Sequence, residues 1–364
     1  MKSNAPGTRA SPADNDNVRA AREAGLRWVN DTQPGLSRRR AGTGFSYRDA
    51  DGRPVRDRGT LDRIRMLAIP PAYRDVWICA LDNGHLQATG RDARGRKQYR
   101  YHPDWSEVRG HGKFDRIVAF ATALPKLRRA LQRDLKLPGL QRDRVLAIVV
   151  SLMAQTFVRV GNDSYTRSNG SFGLTTLRNR HFELVRGGRA RLRFRGKSGQ
   201  DQEIELDDAK LTALVRKVQQ LPGQALFQYV DDEGERHGVD SGMVNDYLRD
   251  AMGGAFTAKD FRTWGGTLMA YRRFAAMPLP ENPRGGPPSE RALVTQEKLV
   301  IADVADALGN TVSVCRKAYI DPVLYGAWRD GSLQRAAGMA RGERQWEASC
   351  LKLLRQKHRS TKHS

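Results

Sequence analysis

HFELVRGGRARLRFRGKSGQDQEIEL, residues 181–206, is the stretch that sets the architecture. HFELV runs into a turn at Gly187-Gly188, and RARLRFR follows with Ala190, Leu192 and Phe194 on alternate positions. A second turn, R-G-K-S-G, leads to EIEL. Alternation of period two between glycine turns predicts strands, here a three-stranded meander. Its surroundings have a different period. FDRIVAFATALPKLRRALQRDL (114–135) and DRVLAIVVSLMAQTFVRVG (143–161) repeat apolar residues every three or four positions, as amphipathic helices do. Asp143 is placed to cap the second of these and Gly161 to stop it. Helices resume near Asp208, Asp240, Ala258 and Ser289, with ENPRGGPPS (281–289) a loop.

Moving outward, the segment from Gly42 to about Trp105 is turn-rich and β-like. GFSYRDADGRP (44–54) carries Asp51-Gly52 as a hairpin signal, VWICAL and HLQATG flank Asp82-Asn83-Gly84, and RKQYRYH (96–102) adds a strand. The expectation is an α+β chain: a disordered tail over 1–17, a small β-rich N-terminal domain over 18–107, a mainly α-helical domain over 108–340 holding the β-meander, and a basic C-terminal tail over 341–364. Residues 1–17 are rich in Pro, Asn, Asp and Ser. CLKLLRQKHRSTKHS at the other end has no acid and reads either as a DNA-binding tail or as a solvated end.

Charge narrows the function. Lys and Arg number 63 against 40 Asp and Glu, a formal net charge of +23 over 364 residues. Such a field selects a polyanion, and counterion release favours nucleic acid. No apolar run approaches the roughly 18–20 residues of a membrane span, and MKSNAPGTRASPADNDN lacks the apolar core of a secretory signal. A cytoplasmic, nucleoid-associated protein is expected. Cys79, Cys315 and Cys350 are scattered thiols without metal or disulfide spacing.

Cutting a phosphodiester requires a nucleophile, fixed positive charge for the transition-state oxygens and a proton for the leaving oxygen. LGNTVSVCRKAYIDP (308–322) places Asn310 nine residues before Tyr319; TAKDFRTWGG (257–266) places Arg262 early in a helix; FVRVG places Arg159 ahead of Gly161; and Lys197 lies in the meander's second turn. Arg262 sits oddly near a helix N-terminus, which favours anions. That suits a phosphate held by guanidinium and helix end together. Each residue alone has an ordinary structural use, such as capping, pairing with a carboxylate or half-buried packing.

All five, in this order and spacing, resemble the type IB DNA topoisomerases, especially the compact bacterial and poxvirus-like members. That family has an Arg in R-x-G, a Lys in a β-turn a little under forty residues later, an Arg in K-D-x-R-T, and a His or Asn nine residues before the Tyr. The resemblance covers roughly residues 40–330. It implies that Tyr319 attacks DNA to give a 3′-phosphotyrosyl bond, that Arg159, Arg262 and Asn310 hold the phosphate, and that Lys197 protonates the leaving 5′-oxygen. Asn310 stands where poxvirus enzymes carry His, so it can donate a hydrogen bond but not titrate. GRDARGRKQYRY is similar to the family's DNA-contacting strand, which makes Arg96, Lys97, Gln98, Tyr99 and Tyr101 candidate DNA contacts; for the two tyrosines core packing stays open. Lys259 and Asp260 either support Arg262 or are surface charge. The resemblance further implies double-stranded DNA as partner, a monomer closing as a C-shaped clamp, no nucleotide cofactor and no required metal, with Mg²⁺ at most stimulatory. R-G-K-S is no P-loop, since Arg191 stands where its first glycine belongs. The alternatives are a tyrosine recombinase, whose H-x-x-R motif would need His at Lys259, and a non-catalytic DNA-binding protein.

Overall fold

The computed structural model describes residues 12–93, 95–162, 166–167, 169–283, 285–338 and 340–361. The chain divides into two compact units, Met1–Phe114 and Asp115–Ser364, a boundary later than the expected residue 107.

The first unit opens with helix α1 (Pro12–Glu23), so residues 12–17 are helical where a disordered tail was expected; residues 1–11 lie outside the described residues. Ala21 and Leu26 bury against Trp105 and give this segment its reason to fold. Five antiparallel strands follow: β1 (Gly35–Ala41), β2 (Gly44–Arg48), β3 (Arg74–Cys79), β4 (Leu86–Arg91) and β5 (Lys97–Tyr101), in the order β2-β1-β3-β4-β5. Helix α2 (Arg58–Met66), capped by Asp57, delivers Ile64 to a core of Leu36, Val76, Ile78 and Ala88. The Asp51-Gly52 turn forms, yet it closes only a bridge between Arg48 and Pro54. The full partner of β2 is β1, the arginine-rich GLSRRRA, whose charges hide its alternation.

The second unit begins inside α3 (Pro103–Asp134) and is built around α4 (Arg142–Thr156), whose residues Val145–Val150, Leu152 and Met153 are all buried. A helix apolar on every side belongs in the middle of a core. Its cap is Gln141, not Asp143, and it ends at Phe157 in the left-handed conformation (φ 53°), not at Gly161. The meander forms as read, β6 (Phe182–Val185), β7 (Arg189–Arg195) and β8 (Asp201–Leu206), with Ala190, Leu192 and Phe194 facing the core. Then come α5 (Ala209–Gln219), a short hairpin of β9 (Gln228–Val230) and β10 (Arg236–Gly238), α6 (Ser241–Met252), α7 (Ala258–Ala276) and α8 (Glu290–Leu308). Asp208, Asp240 and Ser289 cap α5, α6 and α8 through side-chain acceptors. Three short helices, α9 (Val312–Ala318), α10 (Val323–Arg329) and α11 (Ser332–Ala337), lead to α12 (Glu343–Thr361).

Helix α12 corrects the expectation of a basic tail over 341–364. Trp346, Cys350, Leu353 and Leu354 form one stripe at spacings of four, three and one, and the last three are buried in the main core. The exposed Lys352, Arg355 and Arg359 occupy the other side. Leu354→Ala should therefore lower the unfolding free energy by about 2–5 kcal/mol, the usual range for a buried leucine. Urea denaturation measures it, and a change below about 0.5 kcal/mol, typical of solvated positions, would mean that the helix is not part of the core.

Candidate active site

Arg159, Arg262, Asn310 and Tyr319 converge in the second unit, and Lys197 lines the same cavity of about 260 Å³ as the two arginines. Arg262 enters from α7 and is 5% exposed. Its guanidinium donates to the Phe157 carbonyl through Nη1 and to the Leu308 carbonyl through Nη2 (2.6 Å). The left-handed Phe157 is a strained conformation for a bulky residue. It turns the end of α4 so that a main-chain carbonyl faces the arginine. Arg159 follows two residues later, and its main chain is pinned by the Leu174 and Thr175 amides, which donate to the Arg159 and Val160 carbonyls at 2.9 and 2.7 Å. Its Nη2 donates to Asn310 Oδ1 (2.7 Å) and the Gly309 carbonyl (3.3 Å).

Asn310 is presented by the left-handed Gly309 that ends α8. Because Arg159 can only donate, it fixes the amide oxygen of Asn310 toward itself. Nδ2 then points the other way, with the Leu308 carbonyl at 3.3 Å. Among the described residues, its other proton has no acceptor.

Tyr319 closes α9, with its amide donating to the Cys315 carbonyl (2.9 Å), and Thr311 caps the other end of that helix. The Arg262 guanidinium carbon lies 5.1 Å from the centre of the tyrosine ring. Two glycines inside α7 make the approach possible. A Cβ on Gly266 would stand 2.7 Å from the Tyr319 carbonyl, and one on Gly265 would strike the Phe157 ring at 2.3 Å. A glycine pair within a helix is a sequence signal of close approach. It stands in TWGG and points to Phe157 and to the seat of Tyr319, which the motif spacing does not.

Electrostatics set the site apart. Among the described residues neither Arg159 nor Arg262 forms an ion pair with a carboxylate, although Asp201, Glu203 and Asp306 also line the cavity. Burial, and next the charge of Arg262, lower the Arg159 pKa to about 10. Burial alone would raise the Tyr319 phenol. The charge and contact of Arg262, followed by Arg159 and Lys259, outweigh it and hold the phenol below its ordinary value.

Lys197 is exposed, in a one-turn 3₁₀ segment (Lys197–Gly199) joining β7 to β8. That turn runs from strand to strand and is not the strand-to-helix junction of a P-loop. Asp260 is buried. It closes a capping box with Thr257 and takes a bidentate contact from Arg116 at 3.0 and 2.8 Å. Lys259 is exposed. The expectation that the end of α7 itself faces the anion fails here: Asp260 and Asn245 already take the Thr257 and Ala258 amides, at 2.8 and 3.0 Å.

The other candidates lie in the first unit. On β5, Lys97, Tyr99 and Tyr101 share the exposed face, and the two tyrosine rings stack at 6.1 Å, so they are not core residues. Lys97 pairs with Asp31 (2.5 Å), Arg96 pairs with Asp92 (2.7 Å), and Gln98 donates to Asp92 (3.0 Å).

A phenol beside the buried Arg262 and the half-buried Arg159, neither paired with a carboxylate among the described residues, with an exposed lysine on the same cavity, suits the attack of tyrosine on a phosphodiester. Comparison with known proteins agrees. The family of the eukaryotic DNA topoisomerase I catalytic core matches residues 102–321, and that of the bacterial DNA topoisomerase IB N-terminal domain matches residues 44–92. DNA topoisomerase 1B of Acanthamoeba polyphaga mimivirus is 31% identical over 290 residues, covering 79% of this chain and 85% of the viral protein. DNA topoisomerase I of Monkeypox virus and DNA topoisomerase 1B of Vaccinia virus (strain Copenhagen) are each 24% identical over 250 residues, 68% of this chain and 73% of theirs. The chain belongs to the type IB DNA topoisomerases, isomerases that act on DNA.

Arg262→Ala removes the largest influence that favours the phenolate, so the Tyr319 phenol should keep its proton to higher pH than in the wild type. Spectroscopic titration against Tyr319→Phe isolates this residue. The sign extends to stability. A phenol that loses its proton earlier folded than unfolded makes the wild type gain on Tyr319→Phe as pH rises from the folded value towards 10. An unchanged Tyr319 titration in Arg262→Ala would show that the guanidinium does not govern it.

Proposed function

We propose that this topoisomerase relaxes supercoiled duplex DNA through a 3′-phosphotyrosyl intermediate on Tyr319. The observation that carries the reading is the buried Arg262 and half-buried Arg159 beside that phenol, neither with a carboxylate partner among the described residues. Leaving two cations uncompensated is costly in a folded protein, and a bound phosphate supplies the missing charge. Tyr319 loses its proton to solvent, its oxygen bonds to phosphorus, and the bond from phosphorus to the 5′-oxygen breaks. Lys197 gives its ammonium proton to that 5′-oxygen. Arg159, Arg262 and the free Asn310 proton hold the nonbridging oxygens as charge shifts. Religation is the reverse. The phosphotyrosyl bond keeps the energy of the phosphodiester, so supercoiling strain drives the net change without ATP.

The guanidiniums provide the electrostatic service that metal ions provide elsewhere, so no metal is required for cleavage, and Mg²⁺ stimulates only product release. The stacked Tyr99 and Tyr101, with Arg96, Lys97 and Gln98, contact duplex DNA from the N-terminal unit. The enzyme works as a monomer in a bacterial cytoplasm, at the nucleoid. Among the described residues no helix is long and apolar enough to cross a membrane.

Supercoiled plasmid incubated in EDTA without ATP should be relaxed in single-link steps, with protein trapped on the 3′ end of the nick on denaturation. Tyr319→Phe should abolish both and keep DNA affinity. A 5′ linkage, or covalent complex with Tyr319→Phe, overturns the assignment.

Lys197→Ala should slow single-turnover cleavage by about 10²–10⁴-fold, the usual worth of a general acid. A substrate with sulfur at the bridging 5′ position, which leaves without a proton, should regain most of that rate. Equal defects on both substrates would reduce Lys197 to a phosphate ligand.

A further inference from the structure

Helix α12 lies beyond the residues matched to the catalytic core and was expected to be a tail, yet it holds the side chain of Asp321, two residues beyond Tyr319. His358 Nε2 stands 2.9 Å from Asp321 Oδ2, and both side chains are largely buried, 15% and 1% exposed. Asp321 is two residues beyond Tyr319, with the fully buried Ile320 between them and Pro322 after. The second carboxylate oxygen of Asp321 accepts from the Val323 amide (3.0 Å), which fixes the carboxylate plane against the start of α10. The Asp321 amide donates to Thr267 Oγ1 (3.2 Å), and that hydroxyl donates to the Tyr319 carbonyl (3.2 Å). Thr267 is fully buried on α7, five residues after Arg262.

The chain of contacts therefore runs from α12 to Asp321, to the helix that carries Arg262, and to the carbonyl of Tyr319. We infer that His358 is a positioning residue for Tyr319. By holding Asp321, it keeps the Asp321 amide on Thr267, and thereby keeps the tyrosine main chain in register with the phosphate-binding arginine. The C-terminal helix thus sets the geometry of attack although it contributes no group to the cavity. Helix α12 is itself firmly seated. Arg128 grips Glu347, Trp346 packs edge-on against Tyr271 of α7 at 6.0 Å, and Lys357 pairs with Asp330 at 2.6 Å.

A purely structural role for the pair predicts lost stability alone. A positioning role predicts lost rate in proportion to lost geometry, since a misplacement of about 1 Å can cost on the order of 10²-fold. Tyr319 is the nucleophile in cleavage and the leaving group in religation, so both rates share the defect. The inference rests on Tyr319 being the nucleophile, which the Tyr319→Phe covalent-complex assay tests separately.

The experiment compares single-turnover cleavage and religation in the full-length wild type, His358→Leu and His358→Gln, with DNA affinity measured for each in the Tyr319→Phe background. Gln places an amide nitrogen where the imidazole Nε2 stands and can still donate to Asp321. His358→Leu should slow both rates by about 10–100-fold at unchanged affinity, and His358→Gln should recover most of the loss. A folded His358→Leu with wild-type rates, a His358→Gln as slow as His358→Leu, or a defect confined to DNA affinity overturns the inference. Should His358→Leu fail to fold, Thr267→Val carries the test, since it is nearly isosteric, leaves the His358–Asp321 pair in place and removes only the hydroxyl bridge. A comparable fall in both rates supports the relay, and wild-type rates overturn it.

Discussion

The catalytic unit depends on keeping two guanidiniums close together without a carboxylate between them. An acid at that point would settle the charge and compete with a phosphate for the same donors. The fold supplies partial charges instead: the carbonyls of Phe157, Leu308 and Gly309, and the amide oxygen of Asn310. These orient Arg159 and Arg262 without neutralising them. Much of the surrounding architecture serves this end. Helix α4 stops at a left-handed phenylalanine to turn a carbonyl inward, and α8 stops at Gly309 so that three consecutive residues, 308–310, present acceptors.

Fixed and movable charge are separated. The arginines are held by several contacts each, whereas Lys197 stands exposed on a turn between two strands. A phosphate ligand gains from being in place before the substrate arrives. The proton transfer proposed for Lys197 has to meet an oxygen that is leaving, which suits an exposed side chain on a turn between two paired strands. The meander that Gly187-Gly188 and alternating Ala190, Leu192 and Phe194 announce is thus a stiff arm for one lysine.

The side chains proposed for the chemistry were legible in the sequence, and the atoms that hold them were not. Arg159, Lys197, Arg262, Asn310 and Tyr319 have letters and spacings, whereas the carbonyls that aim the arginines have none. The strands β3, β4 and β5 and the capped helices followed their local rules. Strand β1 did not, because three consecutive arginines mask its alternation. Helix α12 was missed for a related reason: its apolar stripe begins at Trp346, upstream of the basic run, and read from Cys350 onward the charges dominate. The first turn of α7 looked open to an anion because the Thr257-x-x-Asp260 capping pattern was passed over and because Asn245, which takes the Ala258 amide, comes from the preceding helix.

The glycine pair under Tyr319 has a mechanical consequence. With the cut strand tethered through Tyr319 as proposed, any torque on the duplex passes into the protein at that residue. Helix α9, at seven residues, is a weak bracket for such a load. Close packing of the Tyr319 main chain on Gly266 and its contact with Thr267 pass the load into α7, nineteen residues long and buried over most of its length. The seat that aims Tyr319 would thus also be its anchor, with friction during strand rotation borne by the buried middle of the unit.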